Sequence, residues 1–494
     1  MIFDLLVIGG GINGCAIASD AAGRGLSVIL CEKDDLASAT SSRSSKLIHG
    51  GLRYLEQYDF KLVRHALKER EILMKKAPFL IRPIEFVIPH NKHLRPVFLI
   101  RLGLFLYDFL YPKRSLSRSK KLNLQKEPEG YPLKDEYKTG FRYADCWTDD
   151  ARLVVLNAMS AREHGARILT RTECQSAKRI DDHWLVECYD KLRQQRMTLK
   201  ARTIVNAAGP WVADIINDVI HTPVQSGVRL VQGSHFIVKK LYEGDQAYTL
   251  QNPDGRVVFA IPYKQNFTLI GTTDTPYNGD ADQASINDTE INYLCEITNQ
   301  YFKKQIKKDD VIWSYSGVRA LYDDHAKDPS KIKRDAHVEV SDQNGQLALV
   351  SIFGGKITTH RVLAEDVLHH LKPYFPNMGN DWTEHEKLPG GDCDGLSFSE
   401  FIKKLQNQYH WLPTETIHRY AKQYGSLCHA FLKDCQRIKD LGKHFGADLY
   451  EKEVLYLIKN EWAQTAEDIL WRRTKLGLFL NSTEIELLKN YLGT

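Results

Sequence analysis

The sequence predicts an α/β fold in which a Rossmann-like dinucleotide-binding domain is interleaved with an antiparallel-sheet domain and followed by an all-helical cap. Three observations carry this. The first thirty-two residues run as apolar strand, G-x-G-x-x-G turn, small-residue helix and second strand ending in an acid. Two more apolar strands, near 203–206 and 351–353, end in small residues and glycines far along the chain. Beyond about residue 390 glycines thin out, strands vanish and helical spacing takes over.

Taken in order, Leu5 to Ile8 reads as a buried parallel strand, followed by Gly9, Gly11 and Gly14. Gly9 makes the tight turn, Gly11 admits a pyrophosphate close to the backbone, and Gly14 lets helix and strand pack. The helix Ile12 to Gly23 offers free N–H groups and a positive dipole end to phosphates. Glu32, eighteen residues past Gly14, ends the Ser27 to Cys31 strand where a carboxylate can take a ribose. Next comes a polar loop with Thr40 and Ser41, then His49-Gly50-Gly51 flanked by Leu47, Ile48, Leu52 and Leu55. Its hydroxyls and N–H groups suit the second side of a pyrophosphate, and the glycine pair suits close contact with a flat ring. The strand at Thr203 to Asn206 ends in Ala207-Ala208-Gly209. That at Ser351 to Phe353 ends in Gly354-Gly355-Lys356, where a helix begins (apolar Ile357, Val362, Leu363, Val367, Leu368, Leu371). A helix N-terminus there can stabilise negative charge on a reduced flavin. Sites so far apart suit FAD, lying extended through a domain, better than NAD.

Between these segments, Asp59 to Lys76 and Asp149 to Gly165 show helical spacing, Arg167 to Thr170 reads as a strand, and Lys178 to Arg202 as a small hairpin region. Short strands at 234–238, 257–261 and 267–271, punctuated by Asn, Asp, Gly and Pro, predict an antiparallel substrate sheet. Val311 to Trp313 and Ala348 to Phe353 are expected to join it. The reading is therefore an FAD-dependent region over 1–388 and a C-terminal helical domain over 389–494. FAD-binding segments fall at about 1–60, 145–210 and 345–372, and substrate-sheet segments at about 80–145 and 211–345. In the helical domain Trp462 and Trp471 read as core packing.

Composition bounds the function. A net charge of +5 over 494 residues demands no nucleic-acid partner. Nine cysteines, an odd number without a C-x-x-C pair, argue for free thiols in a reducing compartment and against a disulfide frame or metal site. Met1 runs almost directly into the first strand and no apolar run is long enough to span a bilayer, so a cytoplasmic protein is expected. The stretch 94–111 is nevertheless unusually apolar, with Arg101 and Asp108 on one helical face. From 92 to 126, nine Lys or Arg residues stand against one acid, Asp108. An apolar helix with basic flanks suits an interfacial anchor on anionic lipid, and equally a buried helix beside a solvated basic loop.

Taken together, Ile8 to Gly14, Asp20 to Gly25, Ser44 to Leu55, Asp145 to Leu153, Ser314 to Arg319, Phe353 to Lys356 and Trp471 to Lys475 resemble the aerobic, FAD-dependent glycerol-3-phosphate dehydrogenases over nearly the whole chain. Ala16, where the family signature has glycine, and His360, where it has tyrosine, depart from the pattern. The resemblance implies oxidation of sn-glycerol 3-phosphate to dihydroxyacetone phosphate by hydride transfer to FAD. It also implies a quinone acceptor and peripheral attachment, through about 94–126, to the inner face of the cytoplasmic membrane. It points to Arg53, Tyr54, Arg319 and Arg334 around the substrate, where a guanidinium fork matches phosphate oxygens. Arg53 follows the Gly50-Gly51 turn, and Arg319 is expected at a strand end. A base near neutral pKa must take the alcohol proton. His235, opening an inner strand after Gly233-Ser234, is assigned that role, with Arg319 and Lys356 as electrostatic partners; Lys356 is the other candidate. An oxidase using O2 and a non-catalytic flavin-binding membrane module remain rivals. Whether the chain forms a homodimer, and which quinone it uses, stay open.

Overall fold

The computed structural model describes residues 1–91, 95–221, 227–252, 254–323 and 336–493, without the side chains of 53, 56, 57 and 323. Leu5, Leu6 and Val7 of the Phe3–Ile8 strand are fully buried, as a strand covered on both faces requires. Each such side chain contributes about 1.5–3 kcal/mol by leaving water. This strand sits inside a parallel sheet ordered 346–353, 195–206, 3–8, 28–31, 167–169. Ile8 stands beside Cys31 on one side and Asn206 on the other, so strand ends, turn and acid share one edge. Helices Ile12–Gly23, Asp150–Glu163 and His360–Leu371 cover one face. A hairpin, Thr172–Ile180 with His183–Asp190, contributes Trp184, Val186 and Cys188 to the other. It begins well before the Lys178 read from sequence. The Asp59 and Asp149 carboxylates cap their helices by accepting the N–H of Leu62 and Arg152.

Among the described residues the second sheet has ten strands, including Trp313–Asp323 and Gly227–Lys239. It is antiparallel except where Ala247–Gln251 runs parallel to Arg82–His90. Two expectations are corrected here. Gln346–Phe353 joins the parallel sheet beside Gln195–Asn206, because a strand buried from Leu347 onward suits a site covered on both faces. The element expected at Val311 to Trp313 begins only at Trp313 and runs for eleven residues, so Arg319 lies inside it, opposite Val231, instead of at its end.

The C-terminal helices Phe398–Gln408, Thr414–Tyr424, Glu451–Glu461 and Ser482–Leu492 do not enclose a core of their own. Phe401, Tyr424 and Leu457 pack into the same cluster as Val7, Leu153 and Val367.

Candidate active site

Two glycines of the first turn are fixed by sterics. Gly9 has φ +110°, and a Cβ there would lie 2.6 Å from the Ala207 carbonyl oxygen. A Cβ on Gly14 would lie 2.0 Å from the Gly9 carbonyl oxygen. Gly11 differs: among the described residues its Cβ would meet only Ser41 Oγ, at 3.1 Å. The Ile12 N–H donates to that same hydroxyl (3.0 Å). The buried Glu32 carboxylate accepts the N–H of Gly10 (2.6 Å) and of Asp34 (2.8 Å). Burial nevertheless pushes its pKa up to about 7. Thr40 donates its hydroxyl to the Val318 carbonyl (2.6 Å), tying the loop to the second sheet.

Asn13, which the sequence reading left out, donates its Nδ2 to the Gly354 carbonyl (3.1 Å). A Cβ on Gly355 would lie 2.7 Å from that nitrogen. The first helix and the Gly354-Gly355 turn, 341 residues apart, thus hold each other. On the facing loop, the His49 N–H donates to Thr358 Oγ1 (3.2 Å) and His49 Nδ1 accepts the Gly51 N–H (3.1 Å). Burial holds the His49 imidazole below its ordinary pKa. Gly50 faces the protein interior. Its side-chain direction points at Leu67 and Tyr107, 2.5 Å away, and its N–H donates to Tyr107 and Asp145. Gly50 thus serves core packing, and Gly51, with φ +72°, lines the cavity.

A cavity of about 1100 Å³ runs past Gly9, Gly11, Glu32, Ser41, Gly209 and Gly354 to His49, Tyr54 and Lys356, and on to His235, Thr272, Arg256 and Arg319. The Lys356 ammonium lies 4.3 Å from the centre of the Tyr54 ring. His235 fills the space that a side chain at Gly271 would occupy, and its ring stacks on Tyr315 at 5.0 Å. Its Nε2 meets Ser45 Oγ at 2.8 Å, while the buried Nδ1 finds no partner among the described residues. Burial, then the Lys46 and Arg319 cations, hold its pKa well below the ordinary value, so the ring is neutral. The Arg319 guanidinium crosses the space left by Gly233 and faces Asp274 at 3.6 Å. Arg256, also missed in the sequence, pairs with Asp254 (2.6 Å), lies 4.0 Å over Tyr293 and feels the Asp274 charge. The Arg53 side chain and all of Arg334 lie outside the described residues.

The nine cysteines are free and buried. Cys31, Cys174 and Cys188, dispersed in sequence, converge within 4.8 Å. Hydrogen bonds within the cluster and burial raise the Cys31 and Cys174 thiols, and the hydrogen bonds to Cys174 and Cys31 lower that of Cys188.

Residues 4–361 match the FAD dependent oxidoreductase family, and 382–491 the C-terminal domain of alpha-glycerophosphate oxidase. A glycerol-3-phosphate dehydrogenase of Pseudomonas aeruginosa is 52% identical, over 99% of this chain and 95% of its own length. The chain belongs to the FAD-dependent glycerol-3-phosphate dehydrogenase family. A D-erythritol 1-phosphate dehydrogenase of Brucella abortus is 50% identical, over 97% of this chain and 96% of its own. The crystal structure of a glycerol-3-phosphate dehydrogenase from Bacillus halodurans, complexed with FAD, superposes with a TM-score of 0.77 at 27% identity, covering all of this chain and 94% of that one.

FAD is the cofactor of this family, and the residues present fit it. The space before Gly11 and beside Gly209 is open on the cavity side, where a Cβ at 209 would meet nothing within 4 Å among the described residues. Glu32 uses its carboxylate oxygens on two backbone donors and retains lone pairs for ribose hydroxyls. The dehydrogenase cavity is long enough to pass all three glycine turns.

Proposed function

We propose that this chain oxidises sn-glycerol 3-phosphate at its secondary alcohol, giving dihydroxyacetone phosphate, with FAD as immediate acceptor. The observation that carries this is one cavity shared by the dinucleotide cradle, an imidazole whose buried Nδ1 has no partner among the described residues, and two guanidinium groups. Gly9, Gly11, Gly14, Glu32, Thr40, Ser41, His49, Gly50, Gly209, Gly354 and Gly355 would hold FAD, Gly14 and Gly50 by shaping the walls. The chemistry that bound FAD would supply is an acceptor for the carbon-bound hydrogen and its electron pair. His235, neutral in its buried setting, accepts the hydroxyl proton. Arg319, with Arg53, Tyr54 and Arg334, clamps the phosphate ester. Lys356 stabilises negative charge as the proton leaves.

Anaerobic mixing of the flavin-loaded protein with glycerol 3-phosphate tests the reading. Bleaching of the flavin absorbance is expected; a spectrum that stays unchanged refutes it. The 50% identity to an erythritol-phosphate dehydrogenase supports a second reading, in which a four-carbon polyol phosphate is the better substrate. Bleaching by D-erythritol 1-phosphate at a higher kcat/KM than by glycerol 3-phosphate decides for it.

The next electron acceptor is read as a membrane quinone, taken from the inner face of the cytoplasmic membrane. No helix among the described residues is long and apolar enough to cross a membrane. The Val97–Phe109 helix instead exposes Phe98, Leu102, Phe105 and Phe109, spaced four, three and four residues apart on one face. Phe98 is 68% exposed. Leu104, Tyr107 and Asp108 turn inward, where Asp108 pairs with Arg114 and accepts from Ser119. Asp108 therefore does not share Arg101's exposure, and the solvent side of the helix carries no acid. Leu99, Ile100 and Leu102 of this helix line the main cavity with Tyr58 and Phe60, which supports an apolar route for the acceptor. Phe98→Ser with Phe105→Ser should remove about 3 kcal/mol of apolar transfer, or about 10²-fold in binding to anionic vesicles. Sedimentation with phosphatidylglycerol liposomes measures it, and unchanged binding contradicts the anchor. Rapid reoxidation by O2, with none by a quinone analogue, would assign the oxidase instead.

A further inference from the structure

The segment Trp471-Arg472-Arg473-Thr474-Lys475 plays no part in the reaction above, yet it reaches toward His235 by two routes. The first is a stack of rings. Trp471 lies on Trp313 with centroids 4.3 Å apart and planes 12° apart. Trp313 contacts Tyr315 at 5.2 Å, and Tyr315 stacks on the His235 imidazole at 5.0 Å and 17°. Behind Trp471 sits Gly477, where a Cβ would come within 2.6 Å of the indole, so the ring is wedged from both sides.

The second route is ionic. Lys475 Nζ donates to Asp149 (3.0 Å), and the adjoining Asp150 accepts from Lys46 Nζ (2.8 Å) and the Ser44 hydroxyl (2.8 Å). Tyr315 donates its hydroxyl to the Ser44 carbonyl (2.8 Å), and Ser45 Oγ meets His235 Nε2. The segment itself is anchored by Arg472 and Arg473, both paired with Asp35 just beyond the Glu32 strand end. The face of the His235 ring and its hydrogen bond to Ser45 are thus both supplied by residues that the C-terminal domain holds in place.

We propose that Trp471 and Lys475 are positioning residues for His235, so that the C-terminal helical domain sets the orientation of the base in addition to completing the core. This rests on the reading of His235 as the base. For that role Nδ1 must present a lone pair, which requires the proton on Nε2, donated to Ser45 Oγ. The stack fixes the ring plane, and the Lys475–Asp149 pair fixes the loop that carries Ser45. A base displaced by as little as 1 Å costs up to about 10²-fold in rate.

The charged and titratable groups around His235 set the sign of the pH effect. Lys46 faces it from the loop, and Tyr315 and Arg319 from the neighbouring strand; Asp149 and Asp150 stand behind Lys46. Removing the Lys475 cation leaves Asp149 less neutralised, which favours the imidazolium. Removing the Trp471 ring admits water, which favours it too. Either change raises the pKa of His235, so the acid limb of the rate profile moves to higher pH.

The test is anaerobic rapid mixing of flavin-loaded Trp471→Leu, Trp471→Phe and Lys475→Met proteins with glycerol 3-phosphate, the rate being counted per bound flavin. Trp471→Leu and Lys475→Met are expected to bleach about tenfold more slowly. The half-saturating substrate concentration should stay within about twofold, since only the chemical step is touched. Their acid limbs should move up in pH, and Trp471→Phe, which keeps a stacking ring, should recover most of the rate. Wild-type rates and an unmoved acid limb in the leucine and methionine variants overturn the proposal. So does failure of all three variants to hold flavin, which would make the segment a general support of the fold. His235→Gln separates the two ideas, with an expected loss of about 10²–10⁴-fold. If it bleaches at the wild-type rate, the base assignment itself falls. If it is slow while the other variants are fast, only the positioning role is lost.

Discussion

Arg319→Ala is expected to leave a yellow, folded, flavin-loaded protein that no longer turns over glycerol 3-phosphate at a useful rate. The guanidinium lies across Gly233 in the cavity and faces Asp274 at 3.6 Å, far along the chain from the Gly9–Gly14 turn. Losing a charge-assisted contact to a phosphate costs about 3 kcal/mol, or roughly 10²-fold in kcat/KM. The loss should fall mainly on KM if the arginine binds substrate and transition state alike, and on kcat if it also meets charge developing on the alcohol oxygen. Arg319→Lys should recover only part of the rate, because an ammonium keeps the charge without the planar fork. Steady-state kinetics with flavin absorbance as loading control checks this. A colourless Arg319→Ala protein would contradict the division between cofactor and substrate walls.

Substitutions at Gly14 and Gly11 should both empty the flavin site, but by different physics. At Gly14 a Cβ would sit 2.0 Å from the Gly9 carbonyl oxygen, so even alanine must force the helix off the strand. Overpacking of this kind costs about 1–3 kcal/mol, and backbone gives way less readily than a side chain. Gly14→Ala should purify colourless with a lowered Tm. At Gly11 the new Cβ would face the Ser41 hydroxyl at 3.1 Å and the open cavity. Gly11→Val should therefore fold with nearly unchanged Tm and still refuse FAD, because its methyls occupy the space meant for a pyrophosphate. Comparing flavin absorbance with thermal unfolding for the two variants separates pocket from scaffold. Retained flavin in Gly11→Val would displace the pyrophosphate from that turn.

The features legible in the sequence are those written locally. The first strand, turn, helix and acid lie within thirty-two residues, and the helix capped by Asp59 announces itself by its period. Register across sheets is not local, and there the sequence is silent. Gly271 matters because the His235 ring lies where its side chain would be, and Gly233 because Arg319 passes over it. Nothing near either glycine in sequence signals that. Asn13 is visible as a residue, but its partner at Gly354 is 341 positions away. Gln346–Phe353 is apolar enough to read as a strand, yet apolarity does not say which sheet edge it joins. Gly50 is the converse case: its place beside the expected ring position is visible in sequence, but not the room it makes for Leu67 and Tyr107.

The threading of the chain has a practical corollary. Each wall of the flavin cleft is a patchwork: residues 9–14 touch 207 and 354, residue 49 touches 358, and residue 40 touches 318. No single cut can therefore release an autonomous flavin-holding fragment, as it would from a protein whose modules follow one another like beads. A protease nicking an exposed loop should leave an associated, coloured complex, with the cofactor acting as a rivet between pieces that the peptide chain no longer joins.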